Sequence, residues 1–194
     1  GRLGLAARIA IGSTVKRRSQ VLRVDYKRGK SGELVFVTVL HELLSVAGEL
    51  LLREEHDIVY TDGATRRTPP PAKAPAAASG PRFTPDAVML FRYSALTFNG
   101  HRIHYDLDYC RRVEGYDNLV IHGPLNATLL ANHAESLSGG ALKRFDYRLL
   151  APALLGCTLA IDARREGEHG DRIVLRLLRD DGVACAEATA CCAP

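Results

Sequence analysis

The stretch "FNGHRIHYD", residues 98–106, places an amide (Asn99) and two histidines (His101 and His104) within six positions, beside Arg102 and Asp106. A polar turn of this kind is either a surface connection or a loop that does chemistry, and its flanks bear on the choice. Upstream, "TPDAVMLFRYSALTF" opens with helix-start chemistry: Thr84 as N-cap, Pro85 at the first helical position and Asp86 in the first turn. Downstream, "HGPLNATLLANHAESLSGG" sets Ala127, Leu130, Ala131, Ala134 and Leu137 at helical spacing, with Gly139-Gly140 as the stop. Small residues along that face predict a helix packed closely against a sheet. Gly123 and Pro124 are read as its N-cap and first residue. The loop therefore lies between two helices.

Outside this helical region the chain reads as strands. Residues 14–26 alternate apolar and polar positions in their second half. "ELVFVTVLHEL" (33–43) is β-branched and nearly continuous in apolar character, and "GELLLREEHDIVY" (48–60) reads as a third strand. The intervening "GKSG" is a turn; as a phosphate loop it would need a glycine where Val24 stands. Residues 65–83, rich in proline and alanine, read as an extended linker between a segment 1–64 and a segment 84–194. The two segments rhyme. "IAIGSTVKRRSQVLRVD" parallels "LLAPALLGCTLAIDARRE", with Gly12 and Gly156 matching at an offset of 144. "ELVFVTVLHE" parallels "DRIVLRLLRDDG", and Gly48 matches Gly182. The pattern predicts a duplicated antiparallel meander whose first copy lacks the helix.

Composition bounds the function. The 194 residues carry a net charge of +4, with 46% apolar and 25% charged residues, as a globular chain does. No run of about 18 apolar residues suggests a membrane span. The basic run Lys16-Arg17-Arg18 is read as a solvated strand face, and aromatic residues do not interleave with basic ones as an RNA platform requires, so no nucleic-acid partner is expected. Five cysteines form no C-x-x-C pair, and Cys185 sits in an apolar run; neither a metal site nor a disulfide framework is expected, which favours a reducing, cytoplasmic setting. The first 24 residues hold arginines and no acid, as transit peptides do, but their counterpart in the second half marks them as part of the fold. The chain lacks an initiator Met, which is read as trimming.

"YSALTFNGHRIHYD" followed by "LVIHGPLNATLLA" resembles the (R)-specific enoyl-CoA hydratase and MaoC-like dehydratase family, and within it the double hot-dog branch that includes mesaconyl-C4-CoA and itaconyl-CoA hydratases and mitochondrial-type 3-hydroxyacyl-thioester dehydratases. The resemblance covers about residues 84–135 closely and implies an α+β double hot-dog, an antiparallel sheet wrapped around a central helix, with an incomplete N-terminal repeat. It implies a carbon–oxygen lyase that hydrates or dehydrates an acyl thioester of coenzyme A or acyl carrier protein, with no cofactor and as a homodimer. Hot-dog thioesterase activity and non-catalytic thioester binding are the alternatives, since a fold hosts many functions.

The family loop runs Asp-x-Asn-x-x-His. Here His104 takes the histidine position, Asn99 the aspartate position and His101 the asparagine position. An amide takes no proton, so the resemblance implies that His104 transfers protons while Asn99 holds the water. Hydrating a double bond conjugated to a thioester needs a base, a proton for the α-carbon and donors for the developing enolate oxygen. Histidine suits the proton work. The N–H groups of Gly123 and Leu125 at the start of the second helix suit the oxyanion, because Pro124 has none to offer. His122 is expected to position that helix start. His101 is the runner-up base, and Tyr93 and Tyr105 are packing residues. Arg102 is a candidate bidentate partner for a carboxylated acyl chain such as mesaconyl. Arg111, Arg112, Lys143 and Arg144 are available for a carrier's phosphates.

Overall fold

The computed structural model describes residues 1–29, 32–61, 80–167 and 171–193. Four strands come first: β1 (Arg2–Leu5), β2 (Lys16–Gly29), β3 (Gly32–Leu44) and β4 (Leu50–Thr61). The three expected N-terminal strands are β2, β3 and β4. The two-residue β5 (Arg82–Phe83) precedes α1 (Ala87–Thr97), a 3-10 turn (Arg102–His104), α2 (Leu107–Arg112) and α3 (Gly123–Ser138). The strands β6 (Leu142–Leu149), β7 (Leu159–Glu166), β8 (Arg172–Arg179) and β9 (Ala184–Cys192) complete the chain. All the strands join one antiparallel sheet in the order β2-β3-β4-β1-β6-β9-β8-β7-β5. With α3 packed on β6, β8 and β9, this is the α+β hot-dog arrangement.

Leaving aside the two-residue β5 at one edge, the sheet order repeats towards its middle: β2-β3-β4-β1 on one side answers β7-β8-β9-β6 on the other. At the centre β1 pairs with β6, and Arg2 lies opposite Asp146, the same 144 positions apart as Gly12 and Gly156. The turn glycines match as well. Gly12 and Gly156 have φ of +89° and +99°, and Gly48 and Gly182 of +93° and +80°, a left-handed backbone that glycine adopts without strain. Among the described residues the first half contributes strands alone, whereas all the helices fall between Ala87 and Ser138.

Alternation builds two unlike faces. Ile173, Leu175 and Leu177 of β8 and Ala186 and Ala188 of β9 turn inward, and Leu130 and Ala134 of α3 are buried against that core. Alanines beneath the helix let its axis approach the sheet. Between β2, β3 and β4 the same alternation aligns Val24, Val37 and Ile58 across the ladder. On the other side of these strands runs a chain of charge. Glu42, 6% exposed, is held by Arg18 and by Arg53 at 3.3 Å, and Arg2 reaches both Glu55 and Asp57. Only paired in this way is a buried carboxylate tolerable. The basic run is thus partly internal business: Arg18 is tied to Glu42, and Arg17 to His41.

Three sequence expectations shift. The N-cap of α1 is Asp86, whose carboxylate accepts from Met89 N–H at 2.7 Å; Thr84 meets Thr158 instead, at 3.3 Å. A carboxylate at this position meets both the free N–H groups and the positive end of the helix dipole. The N-cap of α3 is His122, which makes Gly123 the first helical residue and Pro124 the second. The end of the expected linker is fixed, since Gly80 N–H donates to Ile161 and Arg82–Phe83 pair with β7. Its residues 65–79 lie outside the described residues. Cys157, Cys185, Cys191 and Cys192 are unbridged thiols, and burial pushes the Cys185 thiol up to about 12. Among the described residues no helix is long and apolar enough to cross a membrane.

Candidate active site

Helix α1 ends at Phe98, a left-handed residue (φ +53°) that is 96% exposed; Asn99 N–H then donates back to Ser94 carbonyl at 2.9 Å. Left-handed backbone is uncommon outside glycine and here turns the chain sharply into the loop. Asn99 continues the bend as an Asx-turn, its Oδ1 accepting from His101 N–H at 3.0 Å. Tyr105 hydroxyl donates to Gly100 carbonyl at 2.9 Å. At the far end Asp106 caps α2 by accepting from Tyr109 N–H at 2.9 Å and also holds Arg102 at 2.7 Å. The Arg102 guanidinium lies over the Tyr109 ring, 4.2 Å from its centroid.

The inner side of the loop is strapped to the segment before α3. Ile103 carbonyl accepts from Val120 N–H at 2.9 Å and from the Cys110 thiol at 3.0 Å. His104 returns the bond: its Nδ1–H donates to Val120 carbonyl at 2.7 Å. A carbonyl only accepts, so the proton sits on Nδ1 and Nε2 keeps its lone pair. His104 is 6% exposed. Burial holds its pKa below the ordinary imidazole value, opposed by the Val120 bond and assisted by His101, whose ring stands edge-on at 5.6 Å. The result is a neutral imidazole with one free nitrogen.

His122 lies against it. The two rings are stacked, centroids 3.6 Å apart and planes 17° apart, and His122 is fully buried. Its Nε2 is hydrogen-bonded to Ser94 Oγ at 2.9 Å, and burial followed by the neighbouring His104 lowers its pKa to about 4. Because His122 directly precedes Gly123, the stack brings His104 beside the start of α3. There the first helical bond runs from Asn126 N–H to His122 carbonyl, so the N–H groups of Gly123 and Leu125 lie ahead of the helix ladder and Pro124 has none. A side chain at position 123 would place its Cβ 2.3 Å from Leu149 Cδ1; glycine there lets the end of β6 cross the helix start.

The expected residues divide into two groups. His104, His122, Gly123 and Leu125 come together, with Asn99 at the entrance to the same loop. Arg102 is held on the outer side by Asp106 and Tyr109. Arg111 donates to Asp117 carbonyl, Arg112 pairs with Asp108 at 3.5 Å, and Arg144, alternating with the buried Phe145, pairs with Asp146 on the sheet face away from α3. A groove of about 1010 Å³, lined by Arg23, Lys27, Arg148 and Arg176 among others, reaches Leu149 and does not include His104. Ser94 and the Val120 carbonyl are contributors that sequence reasoning missed. Ser94 reads as an ordinary mid-helix serine, and a backbone carbonyl has no sequence signal. Among the described residues no group of three His, Cys, Asp or Glu side chains is gathered as a metal would need.

The chain is similar to known proteins in sequence and in fold. The family model described as hydroxyacyl-thioester dehydratase type 2 matches residues 1–155, which include β1 to β4, the loop and α3. The chain belongs to this family. Within curated proteins, mesaconyl-C(4)-CoA hydratase of Chloroflexus aurantiacus is 39% identical over 184 residues, covering 93% of this chain and 64% of that protein. The mitochondrial hydroxyacyl-thioester dehydratase type 2 of Schizosaccharomyces pombe is 44% identical over 82 residues, 41% of this chain and 27% of that one. The chain therefore spans less than two thirds of the length of these two relatives. In fold, it is similar to the crystal structure of HtdX from Mycobacterium tuberculosis, with a TM-score of 0.75 and 22% identity over 99% of this chain and 74% of that chain.

Proposed function

We propose that this type 2 dehydratase homologue adds water to, or removes it from, the α,β double bond of an acyl thioester, with His104 as its single acid–base group. Family membership and the 39% identity to a hydratase support the reaction class. The observation that carries the assignment to His104 is its Nδ1–H bond to Val120 carbonyl, which leaves Nε2 as a buried, unprotonated base beside the α3 start.

In the hydration direction Nε2 takes a proton from water as the water oxygen bonds to the β-carbon. The double-bond electrons move to the thioester oxygen, where the Gly123 and Leu125 N–H groups receive the charge. The imidazolium then returns its proton to the α-carbon and the enolate collapses to the thioester. Dehydration reverses each step. Asn99 shapes the loop with one lone pair of its carbonyl, leaving the second for the water. Arg102, already paired with Asp106, serves as a brace for α2. The acyl chain is short, and its carrier is coenzyme A or acyl carrier protein.

The test is incubation with crotonyl- and mesaconyl-CoA while following loss of enoyl absorbance and release of free thiol. Hydration without thiol, reduced about 10²- to 10⁴-fold by His104→Ala, is expected. Thiol release would make the protein a thioesterase, and no turnover of either kind a thioester-binding protein.

A further inference from the structure

An N-cap side chain with an acceptor ordinarily turns it towards the helix's own N–H groups. His122 makes no such bond. Its ring is instead pinned from α1 by Ser94 Oγ at 2.9 Å, with the Tyr93 ring 4.8 Å away at a tilt of 59°, and it lies flat against His104. Its Nδ1 is buried without a partner. Anchored at Cβ–Cγ and bonded through Nδ1 to Val120, the imidazole keeps only the twist about Cβ–Cγ that the angular breadth of one hydrogen bond allows. That twist would still swing Nε2 away from the water it must deprotonate. Something has to fix the plane, and the flat face at 3.6 Å is placed to do it.

We propose that His122 is a positioning residue for the general base: pinned by Ser94, its ring sets the plane of His104 and shields that face from water. The proposal rests on the reading of His104 as the base. The ionisable groups around the pair are His101, edge-on to His104, and Tyr93 on α1; Tyr147 on β6 in turn lies near Tyr93. His122 itself stays neutral down to about pH 4, so the imidazolium formed in turnover meets an uncharged ring and not a second cation.

Two variants of the full-length protein separate plane from hydrogen bond. His122→Gln keeps a group able to reach Ser94 but removes the flat ring; His122→Phe keeps the ring and loses the bond. The expected loss in kcat for His122→Gln is about 10- to 100-fold with KM little changed, the size that small misplacements of a catalytic group produce. His122→Phe should recover most of it. The acid limb of kcat/KM should move up in His122→Gln as water reaches His104, and an NMR titration of the His104 ring without substrate should show the same rise. Equal losses in the two variants, or an unmoved titration in folded His122→Gln, would overturn the proposal. If either variant does not fold, Ser94→Ala, which only frees the ring, should show the same upward movement in smaller measure, and its absence would be equally damaging. Activity surviving in His104→Ala would instead remove the base itself, whereas the NMR titration reports the contact whether or not His104 is the base.

Discussion

Acidification should destabilise this protein through His122 before its carboxylates are neutralised. In the unfolded chain the imidazole titrates at its ordinary 6.5, whereas in the folded protein it is held at about 4. Between those values the unfolded state binds a proton that the folded state refuses, so stability falls as pH falls, beginning near 6.5 and complete near 4. The gap of about 2.5 units, at 1.36 kcal/mol each, corresponds to about 3 kcal/mol, a large share of a stability of roughly 5–15 kcal/mol. His104, also lowered by burial, adds to the loss in the same direction. The assay is urea unfolding at pH 7, 6, 5 and 4 on the natural sequence and on His122→Phe. With a urea dependence of about 2 kcal/mol per molar, the natural protein's midpoint should fall by roughly 1.5 M more than the variant's across that range. The variant's lower starting point, caused by the unpaired Ser94 hydroxyl, does not enter this difference. Parallel curves for the two proteins would refute the reasoning, because they would show that His122 charges as readily folded as unfolded.

Asn99→Asp should keep the loop, since a carboxylate accepts from His101 N–H as the amide does, but the added negative charge should raise the pKa of His104 and move the acid limb of kcat/KM to higher pH; an unchanged profile would place Asn99 too far from the base to matter. Arg102→Ala should lower turnover of crotonyl- and mesaconyl-CoA to the same degree, by loosening α2 through Asp106; a KM increase confined to mesaconyl-CoA in steady-state assays would restore the carboxylate role.

Strands whose pattern is set by burial on one sheet face are readable in the sequence: β3 with its β-branched run, and β2 and β4 beside it. Helix α3 was legible through its small residues and its glycine stop, and the paired turn glycines exposed the internal symmetry. What escaped depended on partners far along the chain. Residues 2–5 carry no alternation, and they become a strand because β4 and β6 leave a slot between them, filled by pairing with Glu55 on one side and Asp146 on the other. The cap at Asp86 escaped because Thr84, Pro85 and Asp86 each suit a helix start, and local chemistry alone does not rank them. In the site, His104 and the α3 start were legible as residue types at a spacing. The hydrogen bond that fixes the tautomer was not, because its acceptor is a main-chain carbonyl. Arg102, read as a candidate partner for a substrate carboxylate, already meets a carboxylate within the chain, Asp106 four residues on.

The amide at position 99 has a stereochemical consequence. Water addition needs one proton removed from oxygen and one delivered to carbon. With two acid–base groups on opposite sides of the substrate, the two events can occur on opposite faces of the double bond. On the proposed mechanism Asn99 takes no part in proton transfer; His122 is stacked flat and buried, and the Nε2 of His104 is the nitrogen left to act. One nitrogen must then lie within reach of both the water and the α-carbon, which confines both to one face. Hydration in D₂O should accordingly place the α-deuterium and the β-hydroxyl on the same side, as read from the coupling constants of the 3-hydroxyacyl product. Anti addition would demand a second proton donor across the substrate, with His101 the first residue to suspect, and the single-base mechanism would fail.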